Sequence, residues 1–84
     1  MTQVTIYSTG TCPICDKAKS CLVKWNINYE EVRVDQSTSG LKKMMKATNN
    51  ARTVPQIFVK DKWIGGFAEL TELHMDGELD DLMA

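Results

Sequence analysis

The sequence predicts an α/β fold in which helices cover both faces of a small mixed sheet of four strands, in the order βαβαββα. Three observations predict it. A strand, a helix and a second strand fit within about thirty residues at the start, the span of a right-handed βαβ unit with parallel strands. Gln56-Ile57-Phe58-Val59 and Trp63-Ile64 are separated only by a polar turn, the pattern of a β-hairpin. Between and after these strands, apolar residues recur at spacings of three and four, as they do along amphipathic helices.

Taken in order, Val4-Thr5-Ile6-Tyr7 is rich in β-branched residues, with Tyr7 on the face opposite the aliphatic ones, and Gly10 breaks the strand. Pro13 suits the first position of a helix, where its missing N–H is no loss. Cys15, Ala18, Leu22 and Trp25 then form the apolar stripe and Lys17, Ser20 and Lys24 the wet one, in a helix ending near Asn26. Ile27 to Val34 reads as the second strand, less buried because of Glu30, Glu31 and Arg33. Ser37-Thr38-Ser39-Gly40 can cap a second helix with Leu41, Met44 and Met45 inward and Lys42, Lys43 and Lys46 outward, stopped by Asn49-Asn50. After the hairpin, whose turn reads as Lys60-Asp61-Lys62, Gly65-Gly66 precedes a third helix with the stripe Phe67, Leu70, Leu73. Leu79, Leu82 and Met83 have the spacing of a last short helix.

Composition narrows the function. The chain has 84 residues, 43% of them hydrophobic and 25% charged, with only 5 Gly and 2 Pro, which fits a folded globule and neither disorder nor a fibrous repeat. No stretch reads as a linker or repeat, so 1–84 is expected to be a single domain. A net charge of −1 lacks the cationic excess of a nucleic-acid or polybasic membrane surface. No apolar run exceeds three residues, far short of the roughly 20 a membrane span needs. Met1-Thr2-Gln3-Val4-Thr5-Ile6 has no charged region followed by an apolar one, so no signal peptide is read and a cytoplasmic location is expected.

The cysteines carry the chemistry. Three is an odd count for a closed disulfide framework, and two of them form the pair Cys12-Pro13-Ile14-Cys15. Cys12 stands between a strand and a helix start, where unpaired N–H groups and the positive end of the helix dipole favour a thiolate, so it is the candidate nucleophile. Cys15, one turn on, is placed to attack a mixed disulfide at Cys12. A tetrahedral zinc site would need four ligands, but there is no second C-x-x-C, and Cys21 and His74 are the only other usual donors. Redox chemistry is the expectation, with no metal.

A second element stands just before the third strand: Thr53-Val54-Pro55, whose X-Pro bond can be cis at modest cost. With Cys12-Pro13-Ile14-Cys15, then Thr53-Val54-Pro55-Gln56-Ile57-Phe58-Val59, then Ile64-Gly65-Gly66-Phe67 and Glu69-Leu70, essentially the whole chain resembles the dithiol glutaredoxins in order and spacing. The resemblance implies a thioredoxin fold that exchanges disulfides with glutathione as co-substrate. It places the nucleophile on Cys12 and the resolving thiol on Cys15, with Pro13 and Ile14 between them beside the bound tripeptide. It implies a cis Pro55 next to the thiolate, Thr53 and Val54 pairing with the cysteinyl part of glutathione, and Gly66 leading into a helix whose Phe67 and Ala68 amides hold the γ-glutamyl carboxylate. Helix N-termini are ready anion sites in any case. Implied partners are glutathione and disulfide-containing or glutathionylated client proteins, met by a monomer.

Three positions depart from the family. Ile14 stands where it usually has Tyr or Phe. Ser8-Thr9-Gly10-Thr11 lacks the lysine that commonly precedes the redox pair, leaving Lys43, Lys46 or Arg52 as cations for the glycyl carboxylate. Ala68-Glu69 replaces Ser-Asp or Asp-Asp, so Glu69 is expected against the ligand's amino group. Two alternatives accompany this reading: a glutaredoxin-like protein reduced by thioredoxin reductase, and a dimer holding a [2Fe–2S] cluster through Cys12 of each chain and two glutathiones. Cluster chemistry is open to a thiolate, but Pro13 counts against it, since the cluster-binding members favour a smaller residue there. Among the remaining residues, Cys21 reads as a small core hydrophobe, His74 as a decoration of the third helix without a partner, and Trp25 and Trp63 as packing residues with their N–H near water.

Overall fold

The computed structural model describes residues 3–83. Met1, Thr2 and Ala84, which the expectations for the N-terminus and for a domain over 1–84 include, lie outside the described residues. The elements run β1 (Val4–Ser8), α1 (Pro13–Lys24), β2 (Tyr29–Arg33), α2 (Thr38–Ala47), β3 (Gln56–Val59), β4 (Lys62–Gly65), α3 (Phe67–Met75) and α4 (Glu78–Met83). This is the expected order with the short C-terminal helix added. Strand order is β2-β1-β3-β4. β1 and β2 are parallel, as a crossover through α1 requires, while β1–β3 and β3–β4 are antiparallel.

Alternation along β1 divides the core. Val4 and Ile6 point to one side, where Ala18 and Leu22 of α1, Leu70 of α3 and Leu79 of α4 meet Ile57 and Val59. Tyr7 points to the other, joining Met44 of α2 and Phe58, its ring edge-on to Phe58 at 5.5 Å between centroids. Helices therefore cover both faces of the sheet. Each fully buried aliphatic contributes about 1.5–3 kcal/mol, and the larger cluster holds α1 firmly against β1 and β3.

Several local expectations are corrected. α1 stops at Lys24 rather than near Asn26: Asn26 adopts φ 58°, its N–H donates to Val23 O and that of Ile27 to Leu22 O, the hydrogen-bond pair of a Schellman motif. Ile27 thus belongs to the helix end, and β2 is shorter than 27–34. α2 is capped by Ser37 and ends at Ala47, with Asn49 and Asn50 both at positive φ. In the hairpin, Lys60 and Asp61 alone make the turn at φ 50° and 68°, so Lys62 lies in β4, paired with Val59. His74 has a partner after all. It stacks on Trp25 with ring centroids 3.6 Å apart, tying the end of α1 to α3. Cys21 is only half-buried, outside the core clusters. Among the described residues, no helix is long and apolar enough to cross a membrane.

Candidate active site

The parallel β1–α1–β2 unit carries the chain from the end of β1 through a short loop to Cys12, the N-cap of α1, with Pro13 in the first turn as expected. The N–H of Cys15 donates to Cys12 Sγ at 3.1 Å. Cys12 Sγ in turn faces the carbonyl oxygen of Val54 across a long 3.9 Å sulfur contact. Cys12 is partly exposed and Cys15 completely buried, and both are unbridged. Burial above all, and then the hydrogen bond with Cys12, push the Cys15 thiol up to about 12. Ile14, between the two cysteines in the same turn, leaves an apolar side chain 51% exposed.

The Val54–Pro55 bond is cis, and Pro55 is buried at the head of β3. On its far side α3 begins: a Cβ built on Gly66 would lie 3.4 Å from the Pro55 carbonyl. The two helix N-termini thus flank one segment. Gly65, at φ +112°, makes the turn into α3 in a region that favours glycine. Phe67 turns its ring into the core, while Ala68 is exposed. Helix geometry leaves the first amides of α3 without intrahelical acceptors. Glu69 does not reach outward in this structure. Its Oε1 accepts from the Gly66 N–H at 3.1 Å, one half of a capping box.

Two polar networks, from β2 and the turn after it, support the redox loop, and residue patterning announces neither. Ser8, fully buried, donates to Glu31 Oε2 at 2.5 Å, and the same oxygen receives Lys19 Nζ at 2.8 Å. The Lys19 ammonium, followed by the Ser8 hydroxyl, holds the Glu31 carboxyl below its usual range, and Glu31 raises Lys19. Further along, Gly10 N–H donates to Asp35 Oδ2 at 3.1 Å, while Arg33 binds both oxygens of Asp35 at 3.0 Å. A Cβ built on Gly10 would meet the Arg33 guanidinium, the mobile end of a partly exposed side chain.

The structure brings Cys12, Cys15, Pro13, Ile14, Val54 and Pro55 together, with Gly66 and Glu69 across the Pro55 carbonyl. Thr53 accepts hydrogen bonds from Gln56 Nε2 through its carbonyl and its hydroxyl. Lys43, Lys46 and Arg52 are exposed. Among the described residues, no three His, Cys, Asp or Glu side chains gather as a metal-ligand set within the chain.

Comparison with known proteins places this geometry. Residues 4–64 match the family model described as Glutaredoxin. Glutaredoxin 1 of Rickettsia typhi is 41% identical over 81 residues, covering 95% of this chain and 78% of the relative. Glutaredoxin 3 of Escherichia coli is 36% identical over 83 residues, covering 99% of each. Among solved structures, a buckwheat glutaredoxin–glutathione complex superposes with a TM-score of 0.84 at 27% identity, covering 96% of this chain and 76% of that one. The mixed sheet with helices on both faces is the thioredoxin fold of those structures.

Proposed function

The chain belongs to the glutaredoxin family, a family of thiol oxidoreductases, and from that premise we propose that it is a glutathione-dependent thiol–disulfide oxidoreductase working through Cys12 and Cys15. The observation that carries the reading is the position of Cys12 Sγ, at the N-cap of α1 and against the Val54 carbonyl beside cis Pro55. A buckwheat glutaredoxin of similar structure is solved as a glutathione complex, and here the Val54–Pro55 segment is flanked by two helix N-termini.

With a glutathionylated client, Cys12 thiolate attacks the glutathione sulfur. A Cys12–glutathione disulfide forms, and the client sulfur leaves as a thiolate and takes up a proton. A second glutathione thiolate then attacks the glutathione sulfur of that disulfide, releasing glutathione disulfide and returning Cys12 as thiolate. With a client disulfide, Cys12 thiolate attacks one client sulfur, the client S–S bond breaks, and the other client sulfur leaves as a thiolate and takes up a proton. Cys15 gives up its proton and attacks Cys12 Sγ, the intramolecular disulfide closes, and the client sulfur bound to Cys12 leaves as a thiolate that is protonated in turn. Two glutathiones reopen the pair and are oxidised to one glutathione disulfide.

In this reading Thr53 and Val54 pair with the cysteinyl portion of glutathione, the Phe67 and Ala68 amides take its γ-glutamyl carboxylate, and Pro13, Ile14, Gly66 and Glu69 line the remainder. In the same proposal the protein is cytoplasmic and monomeric, with residues 1–84 as a single domain.

A glutathione reductase-coupled assay tests it. Cys12→Ser keeps a good N-cap residue, so α1 persists while the nucleophile is lost, and turnover should fall by at least about a thousandfold. Cys15→Ser should retain most turnover of a glutathionylated peptide and lose reduction of a client disulfide. Undiminished turnover in Cys12→Ser overturns the assignment. Turnover only when thioredoxin reductase replaces glutathione and its reductase overturns the glutathione dependence.

A further inference from the structure

β3 opens on a polar residue in an otherwise apolar strand: Gln56 is 5% exposed, followed by Ile57, Phe58 and Val59. A buried carboxamide is costly unless its hydrogen-bonding groups find partners. Here Oε1 accepts from Trp63 Nε1–H at 2.8 Å, and Nε2 donates to both the carbonyl oxygen of Thr53 at 2.9 Å and Thr53 Oγ1 at 3.1 Å. Register explains how Trp63 reaches it. Trp63 on β4 pairs with Phe58, and Gln56 lies two residues from Phe58 on the same face of β3, the diagonal position within reach of a long aromatic side chain. Trp63 itself is 43% exposed, yet its N–H is turned inward onto Gln56. A continuous strut therefore runs from the edge strand β4, through the buried carboxamide, to the exposed Thr53 next to the carbonyl that faces Cys12.

We propose that Gln56, oriented by Trp63, is a positioning residue for glutathione. It fixes the backbone of Thr53 and Val54 in the form that receives the cysteinyl portion of the tripeptide, so that this segment is ordered before binding rather than by it. The inference rests on the glutathione reading above and adds residues that touch neither ligand nor sulfur. A strut of this kind acts on substrate binding, because removing it imposes the ordering of the segment on each binding event. It leaves Cys12, held by α1, as it was.

The test compares wild type with Gln56→Leu, which keeps the volume without the amide, and with Trp63→Phe, which keeps the ring without the donor. Two substrates are used: a glutathionylated peptide in the coupled assay, and 2,2′-dithiodipyridine, a small disulfide with no peptide backbone, whose stoichiometric reaction with Cys12 is followed by pyridinethione absorbance. Expected is a KM for the glutathionylated peptide raised by about five- to tenfold in Gln56→Leu, which loses both hydrogen bonds to Thr53, and less in Trp63→Phe, which loses only the one that orients the amide, with kcat within about twofold. The rate with 2,2′-dithiodipyridine should stay unchanged in both. An unchanged KM in both variants, or an equal loss with the two substrates, overturns the inference alone. If Gln56→Leu does not fold, Trp63→Phe decides by the same criteria. No turnover of the glutathionylated peptide by wild type brings down the glutathione reading, and this inference with it.

Discussion

α1 and α3 both begin against the Val54–Pro55 segment, at its Val54 and Pro55 carbonyls respectively, yet their first turns are closed by different chemistry. At α1 the cap is a sulfur: Cys12 Sγ takes the Cys15 N–H, and Pro13 removes one donor that would otherwise need a partner. At α3 the N-cap is Gly66, with no side chain, and the carboxylate of Glu69 reaches back to its N–H instead. In the proposed function, the first arrangement makes the structural acceptor and the reacting atom the same atom. The second commits a fixed anion to the helix start, and its next amides go to the ligand in the same proposal.

The largest effect that could break this contrast concerns the two thiols of α1. Burial keeps Cys15 protonated far above neutral pH, so at pH 8 a thiol titrating at about 12 is ionised in only about one molecule in ten thousand. Burial survives removal of the other thiols. In a Cys12→Ser/Cys21→Ser variant, the rate of Cys15 alkylation by iodoacetamide should therefore rise about tenfold per pH unit from pH 8 to 11 without levelling. A Cys15→Ser/Cys21→Ser variant, with only the partly exposed Cys12, should react at pH 8 at least about a hundredfold faster. A plateau for Cys15 below pH 9 would show that the turn does not separate an attacking thiol from a waiting one.

Much of this contrast was legible in the residues. Pro13 after Cys12 and the stripe Cys15, Ala18, Leu22 announce α1, and Gly65-Gly66 before Phe67, Leu70 and Leu73 announces α3. Both signals are local, as helix starts are. What escaped depends on partners far along the chain. Ile27 looks like the start of a strand, but its N–H is taken by Leu22 O once Asn26 turns left-handed, which apolar patterning does not report. His74 has no partner in sequence because Trp25 meets it only when α1 and α3 pack. Trp63 reads as a packing residue with its N–H in water, whereas the β3–β4 register turns that N–H onto Gln56. Here a signal was present: a Gln inside Gln56-Ile57-Phe58-Val59 is a polar group bound for burial, and it must find partners somewhere. Nothing comparable marks Glu31 and Lys19, which meet only when the fold brings α1 beside β2.

A smaller effect sharpens the α3 side. If Glu69 serves that helix as half of a capping box, Glu69→Ala should lower the stability of the fold by about 0.5–1 kcal/mol, read from chemical denaturation at pH 7. Glu69→Gln, which retains an acceptor for the Gly66 N–H without the charge favoured near a helix start, should recover part of the loss. Equal stability in all three proteins would mean that α3 is held by Phe67, Leu70 and Leu73 alone, and that its first turn is as open as a glycine cap suggests.

The smallest effect lies in the loop that leads into α1, which α3 matches only with its glycine turn. Asp35 anchors this loop by accepting the Gly10 N–H while Arg33 grips both of its oxygens. The guanidinium first, and the Gly10 amide second, hold the Asp35 carboxyl down at about 2. An unfolded Asp titrates near 3.9, so the native state favours the ionised form. The stabilising contribution is therefore fully present above about pH 4 and is lost as the pH falls through 2. Because the pair is exposed, salt screens it, and its share of the total is modest. Asp35→Asn should melt slightly below wild type at pH 6, with the gap closing as the pH approaches 2 and narrowing in concentrated salt. A gap that is constant from pH 6 to 2 would assign the effect to the shape of the side chain, and the redox loop would then owe its position to the packing of α1 instead of to the Asp35 charge just beyond β2.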